Sequence, residues 1–230
     1  MPANGSWNGF SAFQVFGDHV PMGGFSLVVR IRAESDKLAG LLERRANGSQ
    51  PLDPDLAKSM VRAGLGLMQS GAVSFVYSNS EETVALVRAE AVSGAGRSLV
   101  VHDELVSMFA ARLALLCGQE LPVHADVYEL PDMDVVRRAF SSALDGAEEN
   151  TPGRCSWRIG AQMRGRGEPF HPSMVETLEE QMELLEGQGV DMESLPAWWW
   201  RGVAARVGEA GVEVFDELPS AEDFARLVPG

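Results

Sequence analysis

Hydrophobic and polar positions along the chain fall into two periods. Phe25 to Ile31, FSLVVRI, is a continuous β-branched run of the kind a central strand covered on both faces shows. Val73 to Tyr77 and Thr83 to Arg88 are two further β-branched and aromatic runs. The polar stretch Ser78-Asn79-Ser80-Glu81-Glu82 joins them, which predicts an antiparallel hairpin with two carboxylates at its tip. His124 to Tyr128 alternates as a short strand, and Gly211 to Phe215 reads as a terminal one. Elsewhere the apolar spacing changes to three and four. Leu38, Leu41 and Leu42 predict a helix over Asp36 to Arg45 capped by Ser35, and Leu56, Met60, Val61, Leu65 and Met68 one that begins at Asp53 or Asp55. Leu105, Met108, Phe109, Leu113 and Leu116 place a helix over Asp103 to Cys117, and Val135, Val136, Ala139, Phe140 and Leu144 another behind Asp132 or Asp134. Met174 to Leu185 reads as a helix whose Glu176, Glu179, Glu180, Glu183 and Glu186 face solvent. Met1 to Gly24, Asn47 to Pro54 and the glycine-rich Val92 to Arg97 read as irregular.

The resulting order is strand, helix, helix, hairpin, helix, strand, helix. It suits an α+β protein with helices on one face of an antiparallel sheet. Residues 1–230 read as one domain whose C-terminal part, from roughly residue 152, is helical; Pro152-Gly153 is the best boundary candidate. A chain of 230 residues, 45% hydrophobic and 23% charged, has the make-up of a globular protein. The net charge of −14 opposes a broad grip on nucleic acid, including tRNA, because phosphate binding draws on clustered Lys and Arg. Cys117 and Cys155 have no metal-ligand spacing, which points to free thiols in a reducing cytoplasm. No basic start precedes an apolar run and no stretch approaches about 18 apolar residues, so neither export nor a membrane span is expected.

Three stretches carry candidate chemistry. Glu81 and Glu82, at a strand–turn–strand corner, can hold a divalent cation through hard oxygen ligands if a third acidic group joins them; the other reading is a solvated turn. Arg164-Gly165-Arg166-Gly167 combines flexible backbone with two guanidiniums, a clamp for phosphate or carboxylate or else a surface loop. Trp198 to Trp200 offer base stacking or core cover.

Taken together, several stretches resemble the tRNA-histidine guanylyltransferase-like proteins, reverse-direction nucleotidyltransferases that add nucleotides to tRNA 5′ ends. The family's tyrosine, two polar residues and Ser-Asp-Glu stand here as Tyr77-Ser78-Asn79-Ser80-Glu81-Glu82, behind LAKSMVRAGLGLMQSGAVSFV. Its strand ending Arg-Ile-Asp-Gly is matched by Arg30-Ile31-Arg32-Ala33, and a later strand by HADVYELP. GVDMESLPAWWWRGV and VEVFDELPSAEDF resemble its late segments, in family order, over about nine tenths of the chain.

This resemblance implies a palm-like antiparallel sheet covered by helices, GTP or ATP as substrate, Mg2+ as cofactor and a homo-oligomer, for which the tryptophan-rich stretch is a candidate surface. It implies catalysis by Glu81 and Glu82, a metal at Glu81 and Glu34, and a nucleotide at Arg30, Arg32, Ala33, Ser35, Lys37 and Ser80. Arg158, Arg164 and Arg166 are further phosphate-clamp candidates, Trp157-Arg158 standing where the family has Trp-Arg-Gln. The departures fall on the chemistry. Arg32 replaces the family's first metal-binding aspartate and Glu81 the second; Gln50 before Pro51 replaces its triphosphate-binding lysine, and Glu104 another lysine. Two expectations of different class follow: a divergent nucleotidyltransferase acting on a tRNA 5′ end or a smaller substrate, or a pseudoenzyme that keeps the fold as a binding or assembly module.

Overall fold

The computed structural model describes residues 5–15, 19–45, 52–91 and 98–229. Gln50-Pro51 and the glycine-rich stretch 92–97 lie outside the described residues. Among the described residues seven strands form one antiparallel sheet in the order β1-β5-β2-β4-β3-β6-β7. They are β1 (Gln14–Val15), β2 (Ser26–Ala33), β3 (Val73–Ser78), β4 (Glu82–Val87), β5 (Val123–Leu130), β6 (Val203–Gly208) and β7 (Gly211–Phe215).

Alternation along each strand sends side chains to two cores. Leu27, Val29 and Ile31 of β2 meet α1 (Ser35–Arg45), α2 (Pro54–Leu65) and α3 (Ser98–Cys117) through Leu38, Leu42, Leu56, Met60, Leu105 and Phe109. Val28 of β2, with Phe75, Tyr77, Val84, Leu86 and Tyr128, meets α4 (Met133–Glu149) on the opposite face. Helices therefore cover both faces, not one. This is why β2 reads as an unbroken apolar run: both rows of its side chains are buried. Asp132 caps α4 and Asp53 caps α2, each accepting from a backbone N–H three residues on.

Three differences from the sequence reading have identifiable causes. The lead-in contributes a 3₁₀ segment, Gly5–Phe13, because Trp7 is buried against Tyr128 with ring centroids 4.7 Å apart. Residues 151–165 form a full helix, α5 (Thr151–Gly165), with Pro152 in the first turn, where its missing N–H costs nothing. Its buried positions include Arg154, Arg158 and Gln162, so polarity hides an inward face. The C-terminal part is not purely helical, since β6 pairs with β3 and extends the sheet. Val203–Gly208 carries little strand signal because two of its three buried residues are alanines, Ala204 and Ala205. Between α5 and β6 lie α6 (Leu178–Gly187) and α7 (Ala197–Trp200); the tail ends in α8 (Ala221–Phe224).

Among the described residues no helix is long and apolar enough to cross a membrane.

Candidate functional site

The face of the sheet toward α4 is apolar at one end and ionic at the other. On β2 the row that begins with Val28 continues as Arg30 and Arg32; on β4 Leu86 and Val84 are followed by Glu82; on β5 Tyr128 is preceded by Asp126. Arg32 lies opposite Glu82 and Arg30 opposite Asp126, yet each arginine bonds its diagonal neighbour. Arg30 Nε donates to Glu82 Oε2 at 2.6 Å, and Arg32 Nη2 donates to Asp126 Oδ2 at 2.6 Å. Gln14 Nε2 holds the other Asp126 oxygen at 2.8 Å. Trp7 stacks over the Arg30 guanidinium, 5.1 Å from ring centroid, and Arg30 is 3% exposed, so this pair is secluded from water.

The β3–β4 turn beside these pairs is buried, not solvated. Ser78, Asn79, Ser80 and Glu82 all lie in the interior. Asn79 organises the turn: its Oδ1 accepts from the Glu81 and Glu82 backbone N–H groups at 2.9 and 3.0 Å, as an Asx turn does. The Tyr77 hydroxyl accepts from Asn79 Nδ2 and donates to the Arg201 carbonyl at 2.8 Å. Burial pushes the Tyr77 hydroxyl far above the usual phenol range, so it serves as a neutral hydrogen-bonding pin. Tyr77→Phe should lower stability by about 1–2 kcal/mol, read by urea unfolding, because the Arg201 carbonyl and the Asn79 amide both lose a partner. An unchanged midpoint would show that the pin carries no weight.

From α5, Arg158 reaches the same turn. It is fully buried, its Nη2 donates to the Ser80 carbonyl at 2.7 Å, and its guanidinium lies 5.4 Å from the Trp199 ring centroid. Its Nε and Nη1 have no hydrogen-bond partner, and neither has Glu81 Oε1, which is also buried. Burial pulls the Arg158 guanidinium below its ordinary range, with the Glu81 carboxylate the strongest opposing influence.

The other candidate residues scatter. Glu82 and Arg30 are brought together, and Arg32 is joined to Asp126, a carboxylate the sequence reading did not single out. Its inward position was readable from the alternation of His124, Asp126 and Tyr128. Ala33 ends β2; the Glu34 N–H is taken by the Pro122 carbonyl; Ser35 and Lys37 lie in the first turn of α1. Arg164 donates to Glu43 Oε1 at 2.7 Å and Arg166 to Glu168 Oε1 at 2.6 Å, so the two flexible-loop arginines are tied, the first of them within α5. The three tryptophans do not form a stacking platform: Trp198, Trp199 and Trp200 each lie against a different cation, Lys58, Arg158 and Arg201.

These residues do not fit a two-ion site. Arg32 stands where a carboxylate would be needed, Glu82 is committed to Arg30 and Asp126 to Arg32. Among the described residues no three His, Cys, Asp or Glu side chains form a group able to hold a cation, so Glu34, Glu81 and Glu82 do not make a three-carboxylate site.

No protein-family model and no curated protein matches the chain. Solved structures do. A bacterial tRNA(His) guanylyltransferase-like protein in complex with ATP superimposes with a TM-score of 0.67 at 16% identity, covering 94% of this chain and 92% of its own. The GTP complex of a bacterial tRNA(His) guanylyltransferase-like protein gives 0.62 at 15%, covering 92% and 90%. The tRNA(His) guanylyltransferase of Saccharomyces cerevisiae gives 0.62 at 14%, covering 90% and 96%. The resemblance in the order of the sequence segments is thus matched by one in three dimensions: this chain has the fold of the tRNA(His) guanylyltransferase-like proteins.

Proposed function

We propose that this protein is a nucleotide-binding module on a nucleotidyltransferase palm, taking GTP or ATP where the β3–β4 turn meets the end of β2, without a two-ion transfer site. The observation that carries this reading is the pairing of Arg30 with Glu82 and of Arg32 with Asp126, which uses the carboxylates of the palm for internal ion pairs. Support for a nucleotide comes from the superimposable proteins bound to ATP and GTP and from the arginines gathered at this end of the sheet. A tRNA is the less favoured partner, given the net charge of −14.

A second reading, a divergent nucleotidyltransferase with a single Mg2+ at Glu81, is favoured by one feature: Glu81 has a buried oxygen with no hydrogen-bond partner, whereas Glu82 is bonded to Arg30. Isothermal titration with GTP and ATP, in Mg2+ and in EDTA, separates the two. Binding that persists within about threefold in EDTA is expected for the module. Binding lost in EDTA, or nucleotide addition to a tRNA 5′ end, would replace it with the transferase. No binding of either nucleotide would refute both.

A further inference from the structure

Arg158 carries two buried donors without a partner, Nε and Nη1, where Arg32 at the same corner has one, Nε. A guanidinium carries five N–H donors and no acceptor. Here one nitrogen is bonded to the Ser80 carbonyl and one ring face lies against Trp199, while Nε and Nη1 have no partner. A buried cation without an anion in contact is costly, and water cannot neutralise it. The Glu81 carboxylate stands close enough to dominate the charges acting on Arg158 but makes no hydrogen bond with it, and its own inner oxygen is unpartnered. The Arg158 side chain is held through Ser80 and Trp199, whereas Glu81 is held at its backbone, through its N–H on Asn79. Glu81 is half-buried where Arg158 is wholly covered, so Glu81 is the one of the two that can swing into solvent.

We propose that Arg158 is a buried anchor for a phosphate group of the nucleotide and that Glu81 is a tethered competitor that covers it until a phosphate enters. Tetrahedral phosphate oxygens match the open nitrogens of a guanidinium better than any neutral group does. This inference rests on the nucleotide reading above and adds a role for Glu81 opposite in sign to that of a metal ligand. Removing the Glu81 charge frees the anchor.

The test is titration in EDTA of wild type, Glu81→Gln and Arg158→Lys with GTP and with inorganic tripolyphosphate. Glu81→Gln should tighten both ligands by about fivefold, because a competing charge is removed. Arg158→Lys should weaken both by about tenfold or more, since an ammonium cannot bond Ser80 and a phosphate in one plane. Glu81→Gln alters a half-exposed group and keeps the test decisive if Arg158→Lys fails to fold. Equal or weaker binding by Glu81→Gln overturns the anchor. GTP bound equally by all three proteins overturns it too, yet leaves the nucleotide reading intact. Tripolyphosphate bound with this pattern while neither GTP nor ATP binds keeps the anchor and removes the nucleotide. If Glu81→Gln takes no tripolyphosphate, the anchor falls regardless of GTP.

Discussion

Glu82→Ala should destabilise the protein by about 3–5 kcal/mol, because it leaves the Arg30 guanidinium charged, 3% exposed and without its carboxylate. For a chain of 230 residues that corresponds to a fall of about 10 °C in the melting temperature. The effect comes from removing the anion beside a buried cation and not from the worth of the pair, so the double variant Arg30→Met with Glu82→Leu should recover most of the loss. Trp7, Tyr128 and Val84 supply apolar surroundings for the replacement. Thermal and urea unfolding of the two single variants and the double one close the cycle. A Glu82→Ala cost below about 1 kcal/mol would place the pair in the class of solvent-screened surface bridges and remove the argument that Glu82 is structurally committed.

Much of this corner was legible in the sequence because it is local. The hairpin and its tip follow from runs and turn residues within a few positions of one another, and each of the caps, Asp53 and Asp132, is one of the two aspartates those positions offer. What the chain did not disclose is long-range. Arg30 and Glu82 are separated by 52 positions, and Arg32 and Asp126 by 94, so register across three strands decides whether these charges meet a metal or each other. The burial of the turn was equally hidden. Ser78-Asn79-Ser80 looks like a solvated loop, but α2 and the turn between α7 and β6 close over it: an added Cβ at Gly64 would come within 2.4 Å of the Ser78 and Thr83 hydroxyls, and one at Gly202, whose φ is +86°, within 2.7 Å of the Ser78 carbonyl. A polar segment can be core when its own side chains satisfy the backbone, as Asn79 does here. The same applies to α5, whose Arg154 and Arg158 are buried.

The substitution that separates the palm's two charge states is Arg32→Asp. It removes the Asp126 partner and sets a carboxylate opposite Glu82, beside Asp126 and near the turn that carries Glu81. Like charges on adjacent strands repel, so the metal-free variant should be less stable than wild type by about 1–3 kcal/mol. The same carboxylates supply hard oxygen ligands, and a divalent cation that binds only the folded chain restores stability as its concentration rises, by about 2.7 kcal/mol at a hundred times its dissociation constant. The expected result is therefore a melting temperature that climbs with Mg2+ or Mn2+ in Arg32→Asp and stays flat in wild type. In EDTA the variant should also bind GTP and ATP more weakly, since one guanidinium at the proposed phosphate end has been lost. A wild-type melting temperature that rises as steeply with Mg2+ would mean that a cation already has a seat in this palm, and the ion pairs would then be its resting partners, not its replacement. A variant indifferent to both ions would show that the β2 position lies out of reach of the remaining carboxylates, and that the charge reversal at residue 32 is not what distinguishes this palm from a metal-binding one.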